Sequence, residues 1–373
     1  MNAGFSAHPR ARLVLGRRVL PDLGPLAVAF AGGPFRIGGA GALMAEPGQF
    51  ETLTSGSSGA PRRIVRKVSS WHASFAVNAA LFGIGPGMRV AVLGGLEQSL
   101  ALYGAVEAIS LGADLHLLAG MRPDRQRLAL ADCAADLVYA TPAQLRLMVD
   151  AGGPALVARV ILVGGAKLDA GLRAALETLA PHAQLREFYG AAEASFITLS
   201  GPGTPPDAVG AAYPGVQIDL RGPGDIQQIW VKSPYLFDTY AGDDPGSSVW
   251  DQGWLTVGEM GWMQAGQLYL AGRAGRMVTV ADHNVFPEPI EAFMQGLPGV
   301  QQVAVLPRGD ALRGVVMVAL LQGDPACEAS ILAATRTQFG PLKAPRAVIW
   351  LQDWPHLPSG KTDLQCLARL VGP

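Results

Sequence analysis

The sequence predicts an α/β fold with a large amino-terminal domain and a smaller carboxy-terminal domain. Between residues 88 and 179, short apolar runs alternate with stretches of helical spacing, which is typical of a largely parallel sheet covered by helices. Around 200–270 the pattern changes to β runs separated by Gly, Pro and Asp turns, and a second α/β unit follows. The basic, Gly-containing joint at 272–276 separates the two patterns. We therefore expect a large domain at 1–273 and a small domain at 274–373.

The individual elements follow from local periodicity and from the turn residues between them. The predicted strands are 12–15, 26–30, 35–37, 88–94, 114–118, 137–140, 159–163, 300–306, 315–321 and 347–351. The predicted helices are 71–82, 99–110, 122–133, 142–151, 169–179, 287–294 and 329–339.

Composition excludes several functional classes. Hydrophobic residues make up 49% of the chain and charged residues 16%, which indicates a globular protein. The net charge of −1 argues against a nucleic-acid partner, because such proteins carry an excess of Lys and Arg. The three cysteines lie far apart without metal-ligand spacing, so we expect a reducing, cytoplasmic location. The beginning of the sequence lacks the apolar core of a signal peptide, and charged residues interrupt the most apolar stretch, so no membrane span is predicted.

A loop rich in Gly and Ser, TSGSSGAP at 54–61, lies between two β-rich runs. Its backbone N–H groups and hydroxyls can surround phosphate oxygens without side-chain bulk. It is not a Walker A loop, because no Lys and no helix follow at the required spacing. A flexible surface turn has the same composition and remains the alternative for this segment alone.

A second motif, REFYGAAE at 186–193, follows an αβ unit and is therefore predicted at the carboxyl end of a strand, where open α/β sheets bind ligands. Its aromatic ring offers a face to a base, and its carboxylate can hold Mg²⁺ through oxygen. The alternative is a solvent-facing Glu193 beside a packed Tyr189.

A third pair of segments carries Glu259 after Gly258 and Arg273 after Gly272. A carboxylate suits ribose hydroxyls, and a guanidinium suits ribose or phosphate. A salt bridge at the rim of the fold is the alternative.

The fourth motif, PSGK at 358–361, puts Lys361 on a Gly-containing loop near the end of the sequence. A lysine on such a loop can enter a site and place a positive charge at a developing phosphoanhydride. A solvated loop lysine is the alternative.

Taken in order and spacing, these motifs resemble the adenylate-forming superfamily of acyl-CoA synthetases, peptide-synthetase adenylation domains and luciferases. TSGSSGAPRR is similar to its phosphate loop, YGAAE to YGxTE, and VGEMG to TGD. GRAGRMVTVADHNVFPEPIE is similar to GRxDDxIKxxGxNVxPxEIE without a gap, LPSGK to the late lysine loop, and the GGA at 164–166 to the segment beside adenine. The resemblance extends from about residue 50 to the end of the sequence.

The resemblance implies a large α/β domain of the adenylate-forming type, a small mobile α+β domain and a hinge at Gly275. It implies that Tyr189 stacks on adenine, that Glu259 and Arg273 bind ribose, and that the loop binds the β- and γ-phosphates. The residues with an implied nucleotide-binding role are Thr54, Ser55, Gly56, Ser57, Ser58, Gly59, Gly165, Ala166, Phe188, Tyr189, Gly190, Ala192, Glu259 and Arg273.

Two catalytic residues are implied as well. Glu193 would hold Mg²⁺, and Lys361 would bridge the substrate carboxylate and the α-phosphate. The implied activity joins a carboxylic acid to AMP with ATP and Mg²⁺, releases pyrophosphate, and passes the acyl group to CoA as a thioester. Two alternatives stay open: transfer to the phosphopantetheine of an acyl carrier protein, and a non-catalytic nucleotide-binding relative.

The sequence departs from the family pattern at several positions. Arg62 replaces the loop Lys, Ala192 replaces the Thr before the Mg²⁺ ligand, and Glu259 replaces Asp. Thr279 replaces the Lys usual after the hinge, and Asp282 replaces a Gly that lets pantetheine pass. The region before the loop is also shorter than in the family, and the acceptor step is therefore less well supported than adenylation.

One basic patch allows a different interpretation. Arg62, Arg63, Arg66 and Lys67 would form either a solvated strand face beside the phosphate loop or a surface for a polyanion or protein partner.

Overall fold

The computed structural model describes residues 4–54, 62–242, 248–357 and 362–372. The helices in these ranges are α1 (Val68–Phe82), α2 (Ser99–Leu111), α3 (Pro123–Cys133), α4 (Pro142–Asp150), α5 (Ala170–Leu179), α6 (Pro287–Gln295), α7 (Glu328–Lys343) and α8 (Leu364–Val371). The strands before the carboxy-terminal unit are β1 (Arg12–Leu15), β2 (Arg18–Val19), β3 (Gln49–Leu53), β4 (Arg63–Lys67), β5 (Arg89–Val92), β6 (Asp114–Leu117), β7 (Leu137–Ala140), β8 (Val160–Val163), β9 (Gln184–Ala191), β10 (Ser195–Leu199), β11 (Ala208–Ala212), β12 (Gln217–Arg221), β13 (Gln227–Lys232), β14 (Thr239–Tyr240), β15 (Val249–Asp251), β16 (Trp254–Thr256), β17 (Glu259–Gln264) and β18 (Gln267–Arg273). The remaining strands are β19 (Val278–Val280), β20 (His283–Val285), β21 (Val300–Asp310), β22 (Gly314–Gly323) and β23 (Ala347–Trp350).

Six parallel strands form one half of the main sheet, in the order β1-β6-β5-β7-β8-β9. Successive side chains alternate between two cores: Val90 and Val92 pack in one hydrophobic cluster and Ala91 in the other. Both faces are covered, which explains why these strands read as continuous apolar runs in the sequence. The predicted parallel α/β sheet is confirmed.

The pairing of strands in the sheet changes from parallel to antiparallel at β9. The edge of β9 that faces away from β8 pairs antiparallel with β10, and the sheet continues through β11, β18, β17 and β13. This matches the change in sequence pattern after residue 200. The segment that follows β9 therefore lies at the carboxyl ends of the parallel strands and at the point where strand direction reverses.

A separate antiparallel sheet flanks the predicted phosphate loop. β3 and β4 pair from Gln49 opposite Lys67 to Leu53 opposite Arg63, so the predicted strand–loop–strand arrangement is confirmed. β14 adds to the free edge of β4, with Tyr240 opposite Ile64.

The carboxy-terminal unit is smaller and has an α+β architecture. β21, β22 and β23 form its sheet, and α6, α7 and α8 supply the covering side chains. β19 and β20 form a hairpin whose two turn residues, Ala281 and Asp282, have φ of 45° and 64°. This left-handed turn favours Gly, Asn or Asp, so an aspartate is tolerated at position 282.

Three expectations about elements were wrong or incomplete. Residues Gly24–Phe30 form a 3₁₀ helix, not a strand, and its two buried residues, Leu26 and Ala29, follow the spacing of three that this helix has. The expected strand at 35–37 is reduced to one bridge between Arg36 and Glu51. Helix α8 was missed; the Asp363 side chain caps it by accepting from the N–H of Cys366. Within the described ranges, no helix is long and apolar enough to cross a membrane.

Candidate functional site

The segment at the carboxyl end of β9 carries the second motif, as the sequence predicts. Gly190 lies on β9 where it pairs closely with β10, and a Cβ there would lie 2.0 Å from the carbonyl oxygen of Ser195. Only glycine fits this contact. Glu193 lies in the turn between the two strands, and Ser195 ends that turn with a left-handed φ of 56°.

The Glu193 carboxylate has a specific partner that sequence reasoning missed. The Tyr240 hydroxyl donates to its Oε1 at 2.9 Å. The Arg62 guanidinium, at the exit of the predicted phosphate loop, lies 6.0 Å from the centre of the Tyr240 ring. The end of the loop and the predicted metal-binding residue therefore meet at the same tyrosine. No short-range pattern marks Tyr240, because it lies far from both groups in sequence.

The two ends of the predicted phosphate loop are joined to each other. The N–H of Thr54 donates to the carbonyl of Arg62 at 2.8 Å, and the N–H of Arg62 donates to the Thr54 hydroxyl at 3.1 Å. The buried Thr54 thus closes the base of the loop. The predicted phosphate-binding residues Ser55, Gly56, Ser57, Ser58 and Gly59, and the predicted catalytic Lys361, lie outside the described residues.

The expected solvated strand face at 62–67 is wrong for Arg66, which is only 1% exposed. Burial lowers the pKa of its guanidinium to about 10, while the charges of Glu193 and Asp238 favour the protonated form. Arg66 is therefore charged at neutral pH. Strand periodicity is consistent with the burial of Arg66. Ile64 and Arg66 are two residues apart on β4 and therefore share a face, and Ile64 is fully buried.

The predicted ribose-binding residues form an ion pair. Glu259 and Arg273 lie directly opposite on β17 and β18, and the Arg273 Nε donates to the Glu259 Oε1 at 2.9 Å. The Glu259 side chain is 14% exposed and that of Arg273 46%, so the guanidinium is open to solvent. The rim salt bridge considered as the alternative is present, and the guanidinium is still accessible to a ligand.

Tyr189 belongs to the same neighbourhood. Its hydroxyl is buried and has no hydrogen-bond partner among the described residues. Burial raises the pKa of Tyr189 well above its ordinary value; the Glu259 charge adds to this shift and the Arg273 charge opposes it. The structure thus brings Tyr189 of the second motif close to the Glu259–Arg273 pair of the third.

The adjacent GGA segment follows β8, which is the parallel neighbour of β9. A Cβ on Gly164 would lie 2.1 Å from the Phe188 ring, so the ring packs directly on the glycine backbone. Gly165, with φ of 94°, and Ala166 are exposed at the same end of the sheet as Tyr189. Phe188 also packs 4.5 Å from the Phe196 ring, and its side chain joins a different core cluster from Tyr189.

The junction with the carboxy-terminal unit is closely packed. Gly272 has φ of 144°, and a Cβ there would lie 2.5 Å from the Glu288 Oε2. The N–H of Arg273 donates to the other oxygen of Glu288 at 3.3 Å, and Arg276 pairs with Glu291 at 2.6 Å. Gly275 has no atom near an added Cβ and no positive φ, so this conformation does not itself require glycine there.

A magnesium site must be judged by its donor set. In the portion of the chain that the structure describes, no three His, Cys, Asp or Glu side chains cluster as metal ligands. Protein sites for Mg²⁺ often use only one or two carboxylates and complete the octahedron with water and substrate phosphates. The single carboxylate of Glu193, next to the closed base of the predicted phosphate loop, fits that pattern.

Comparison with known proteins agrees with the fold and the motifs. Residues 51–241 match the AMP-binding enzyme family, and residues 289–361 match the AMP-binding enzyme C-terminal domain. The uncharacterized acyl-CoA ligase YhfT of Bacillus subtilis (strain 168) is 31% identical over 321 residues. The match covers 83% of this chain and 66% of YhfT, so the chain spans slightly less than two thirds of that relative.

Solved structures show the same fold. The amide bond synthetase McbA from Marinactinospora thermotolerans is 25% identical, with a TM-score of 0.76 over 90% of this chain and 72% of McbA. The O-succinylbenzoate coenzyme A synthetase MenE from Bacillus subtilis, in complex with ATP and magnesium ion, is 19% identical, with a TM-score of 0.74 over 84% of this chain and 68% of MenE. Since the family match spans more than half of its residues, this chain belongs to the AMP-binding enzyme family.

Proposed function

We propose that this chain activates a carboxylic acid with ATP and Mg²⁺ to an acyl-AMP, and then transfers the acyl group to the thiol of CoA. The observation that carries the proposal is that the Glu259–Arg273 ion pair lies close enough to Tyr189 for both charges to act on its hydroxyl, while Glu193 follows Tyr189 in the turn after β9. ATP has a purine ring, a ribose diol and a phosphate chain, and an aromatic ring, an ion pair and a metal-binding carboxylate suit those three parts in that order.

Each residue has a proposed role in binding. Tyr189 stacks on adenine against Gly165 and Ala166, and the Glu259–Arg273 pair binds the ribose hydroxyls. The loop at 54–59 supplies backbone N–H groups and hydroxyls to the phosphates. Phe188, Gly190 and Ala192 lie on β9 and in the turn after it, and they shape the adenine side of the site through their backbone and packing.

The adenylation step requires no general base, because the acid is already a carboxylate at neutral pH. One carboxylate oxygen attacks the α-phosphorus, the bond from the α-phosphorus to the bridging oxygen breaks, and pyrophosphate leaves with the electron pair. Mg²⁺, when bound, neutralises phosphate charge. Glu193 is the protein group that would hold it, and the Lys361 ammonium would lower the repulsion between the two anions that react.

We also propose that the unit at 274–373 moves as a lid relative to residues 1–273, with the hinge near Gly275. Lys361 belongs to the small unit in this division, whereas Glu193 belongs to the large one. No atom lies within 4 Å of the position of a Cβ on Gly275, so the backbone can rotate there. Such a rotation would turn a different surface of the small unit toward the nucleotide.

Pyrophosphate exchange with a broad panel of acids tests adenylation directly. We expect exchange that depends on ATP, Mg²⁺ and one class of acid, and a loss of about 100- to 1000-fold in Lys361→Ala because a charge at the reacting phosphate is removed. Lys343, an exposed lysine on α7 in the same unit, is the matched control, and Lys343→Ala should leave exchange unchanged. Absence of exchange with every acid would refute adenylation, and ATP binding without exchange would indicate a non-catalytic nucleotide-binding relative.

The acceptor is tested separately by mass spectrometry of the products. The acid identified by exchange is incubated with ATP and CoA, with a phosphopantetheinylated carrier protein, or with an amine. A CoA thioester is the expected product. The amine arm is included because the similar protein McbA is an amide bond synthetase. In addition, Asp282 lies in the β19–β20 turn at the position where the family has a Gly that lets pantetheine pass.

A further inference from the structure

Arg66 has the largest fully buried side chain in the described part of the chain. Removing a charge from water costs several kcal/mol unless nearby groups compensate it. A buried arginine in the middle of a strand therefore indicates that hydrogen-bond acceptors around it compensate the cost of burying its charge. Two of its three acceptors belong to the turn that carries Glu193.

Arg66 donates hydrogen bonds to that turn from the interior of the protein. One terminal nitrogen, Nη1, donates to the carbonyl of Ala192, and the other, Nη2, donates to the Ser195 hydroxyl at 2.6 Å and to the carbonyl of Tyr235. Ala192 and Ser195 flank Glu193 on either side. One rigid, planar group thus fixes both ends of the turn and the neighbouring chain at Tyr235.

The remaining contacts of the turn lie on its other sides. The carbonyl of Glu193 accepts from the N–H of Phe237 at 2.8 Å, and its carboxylate accepts from the Tyr240 hydroxyl at 2.9 Å. Ser195 holds a left-handed φ, which is strained for a residue with a side chain. A strained turn keeps one conformation only when several contacts determine it, and Arg66 provides two of them, to Ala192 and Ser195.

We propose that Arg66 is a positioning residue: it holds the turn at 192–195 in the one conformation in which the Glu193 carboxylate can bind the metal of the nucleotide. This inference rests on the proposed function, since it assigns Arg66 a role toward the Mg²⁺ that accompanies ATP. Arg66 does not contact the nucleotide itself, so its effect passes through the backbone of the turn. A purely structural role would stabilise the fold without changing the metal dependence of ATP binding.

The test is calorimetric titration of ATP into the full-length protein, once in Mg²⁺ and once in EDTA. Arg66→Lys keeps a positive charge but cannot make three bonds in a plane. We expect it to lower ATP affinity about 10-fold in Mg²⁺, as displaced partners of metal ligands do, and to leave the affinity in EDTA unchanged. Loss of equal size in both buffers, or no loss in either, overturns the proposal.

Arg127 provides the matched control. It also donates to three backbone carbonyls, those of Met148, Gly153 and Pro154, but none of them belongs to the candidate site. Arg127→Lys should leave ATP affinity unchanged in both buffers. An equal Mg²⁺-specific loss in this control would show that the effect of Arg66→Lys is not local, and would also overturn the proposal.

A second variant covers the case in which Arg66→Lys fails to fold. Ser195→Gly removes the hydroxyl that accepts from Arg66 and accommodates the left-handed φ without strain. We expect a Mg²⁺-specific loss of about 3-fold, smaller because one of three bonds is removed. Wild-type Mg²⁺ dependence in Ser195→Gly, when Arg66→Lys is unfolded or also wild-type, refutes the positioning role.

The two proposals fail in different ways. If the wild-type protein binds no ATP in Mg²⁺, the proposed function and the role of Arg66 are both refuted. If the wild-type protein binds ATP more tightly in Mg²⁺ and Arg66→Lys behaves in the same way, only the role of Arg66 is refuted.

Discussion

Two fully buried ionisable side chains, Arg66 on β4 and Glu107 on α2, show how differently one domain treats a charge. Arg66 lies among carbonyl and hydroxyl oxygens, and its pKa of about 10 leaves it charged at neutral pH. Glu107 lies in the aromatic core, where burial raises its pKa to about 7 although Tyr139, Asn78 and Tyr103 donate to it. Burial alone does not decide the charge; the surrounding groups do.

The difference follows from what each group must do. Arg66 serves a turn whose carbonyl groups need a donor with several N–H groups, and the nearby carboxylates Glu193 and Asp238 favour its positive charge. Glu107 completes a hydrogen-bond cluster inside the core with Asn78, Tyr103 and Tyr139, none of which belongs to the candidate site. One buried charge is thus connected to the proposed chemistry, whereas the other contributes to packing and stability.

The largest expected effect comes from the carboxylate that Arg66 supports. Glu193→Gln keeps the size of the side chain and removes its charge, so we expect pyrophosphate exchange to fall about 100- to 1000-fold and to need more Mg²⁺. Steady-state exchange over a range of Mg²⁺ concentrations measures both effects. Glu177→Gln, at an exposed position on α5, is the control and should match the wild type. Unchanged Mg²⁺ dependence in Glu193→Gln would show that Glu193 does not hold the metal, and Arg66 would then have no connection to the proposed chemistry.

The second effect concerns Glu107 and appears in stability. Its folded pKa of about 7 lies above the ordinary value of 4.5, so its favourable contribution is complete below about pH 4.5 and disappears as the pH rises through 7. The wild type should therefore lose roughly 3 kcal/mol of stability from this group between pH 4.5 and pH 8. Glu107→Gln, which resembles the neutral acid, should lack that loss.

Urea unfolding of the wild type and Glu107→Gln at pH 5 and pH 8 measures the difference. Adenylation by Glu107→Gln at pH 7 should remain within a factor of about two of the wild type, as for a substitution remote from the chemistry. The contrast with Arg66 disappears if Glu107→Gln instead abolishes ATP binding while the protein stays folded.

The smallest effect tests the other contact of Glu193. Tyr240→Phe removes the hydroxyl that donates to the carboxylate and keeps the ring beneath Arg62. We expect exchange to fall about 10-fold, the size of one hydrogen bond to a charged group. Tyr269→Phe, on a ring stacked against Trp262 at 5.1 Å, is the control. A larger loss in Tyr240→Phe than in Glu193→Gln would mean that the tyrosine has a role independent of this carboxylate.

Much of the fold and part of the candidate site followed from local sequence. The parallel strands were predicted because each is a short apolar run between helical stretches, and the position of Tyr189 at a strand end followed from that order. Glu259 and Arg273 were predicted as one pair, and the structure joins them in an ion pair. The 3₁₀ helix at Gly24–Phe30 was misassigned because a short apolar run suits a strand and a buried helix equally.

The sequence by itself determined the α/β alternation, the change to antiparallel strands and the set of motifs, because periodicity and turn chemistry act over a few residues. Only the tertiary structure decided that Arg66 meets Ala192, 126 residues away, and that Tyr240 reaches Glu193. It also decided which buried group keeps its charge. Those outcomes depend on which acceptors and donors surround a side chain after folding, and residues distant in the sequence supply them.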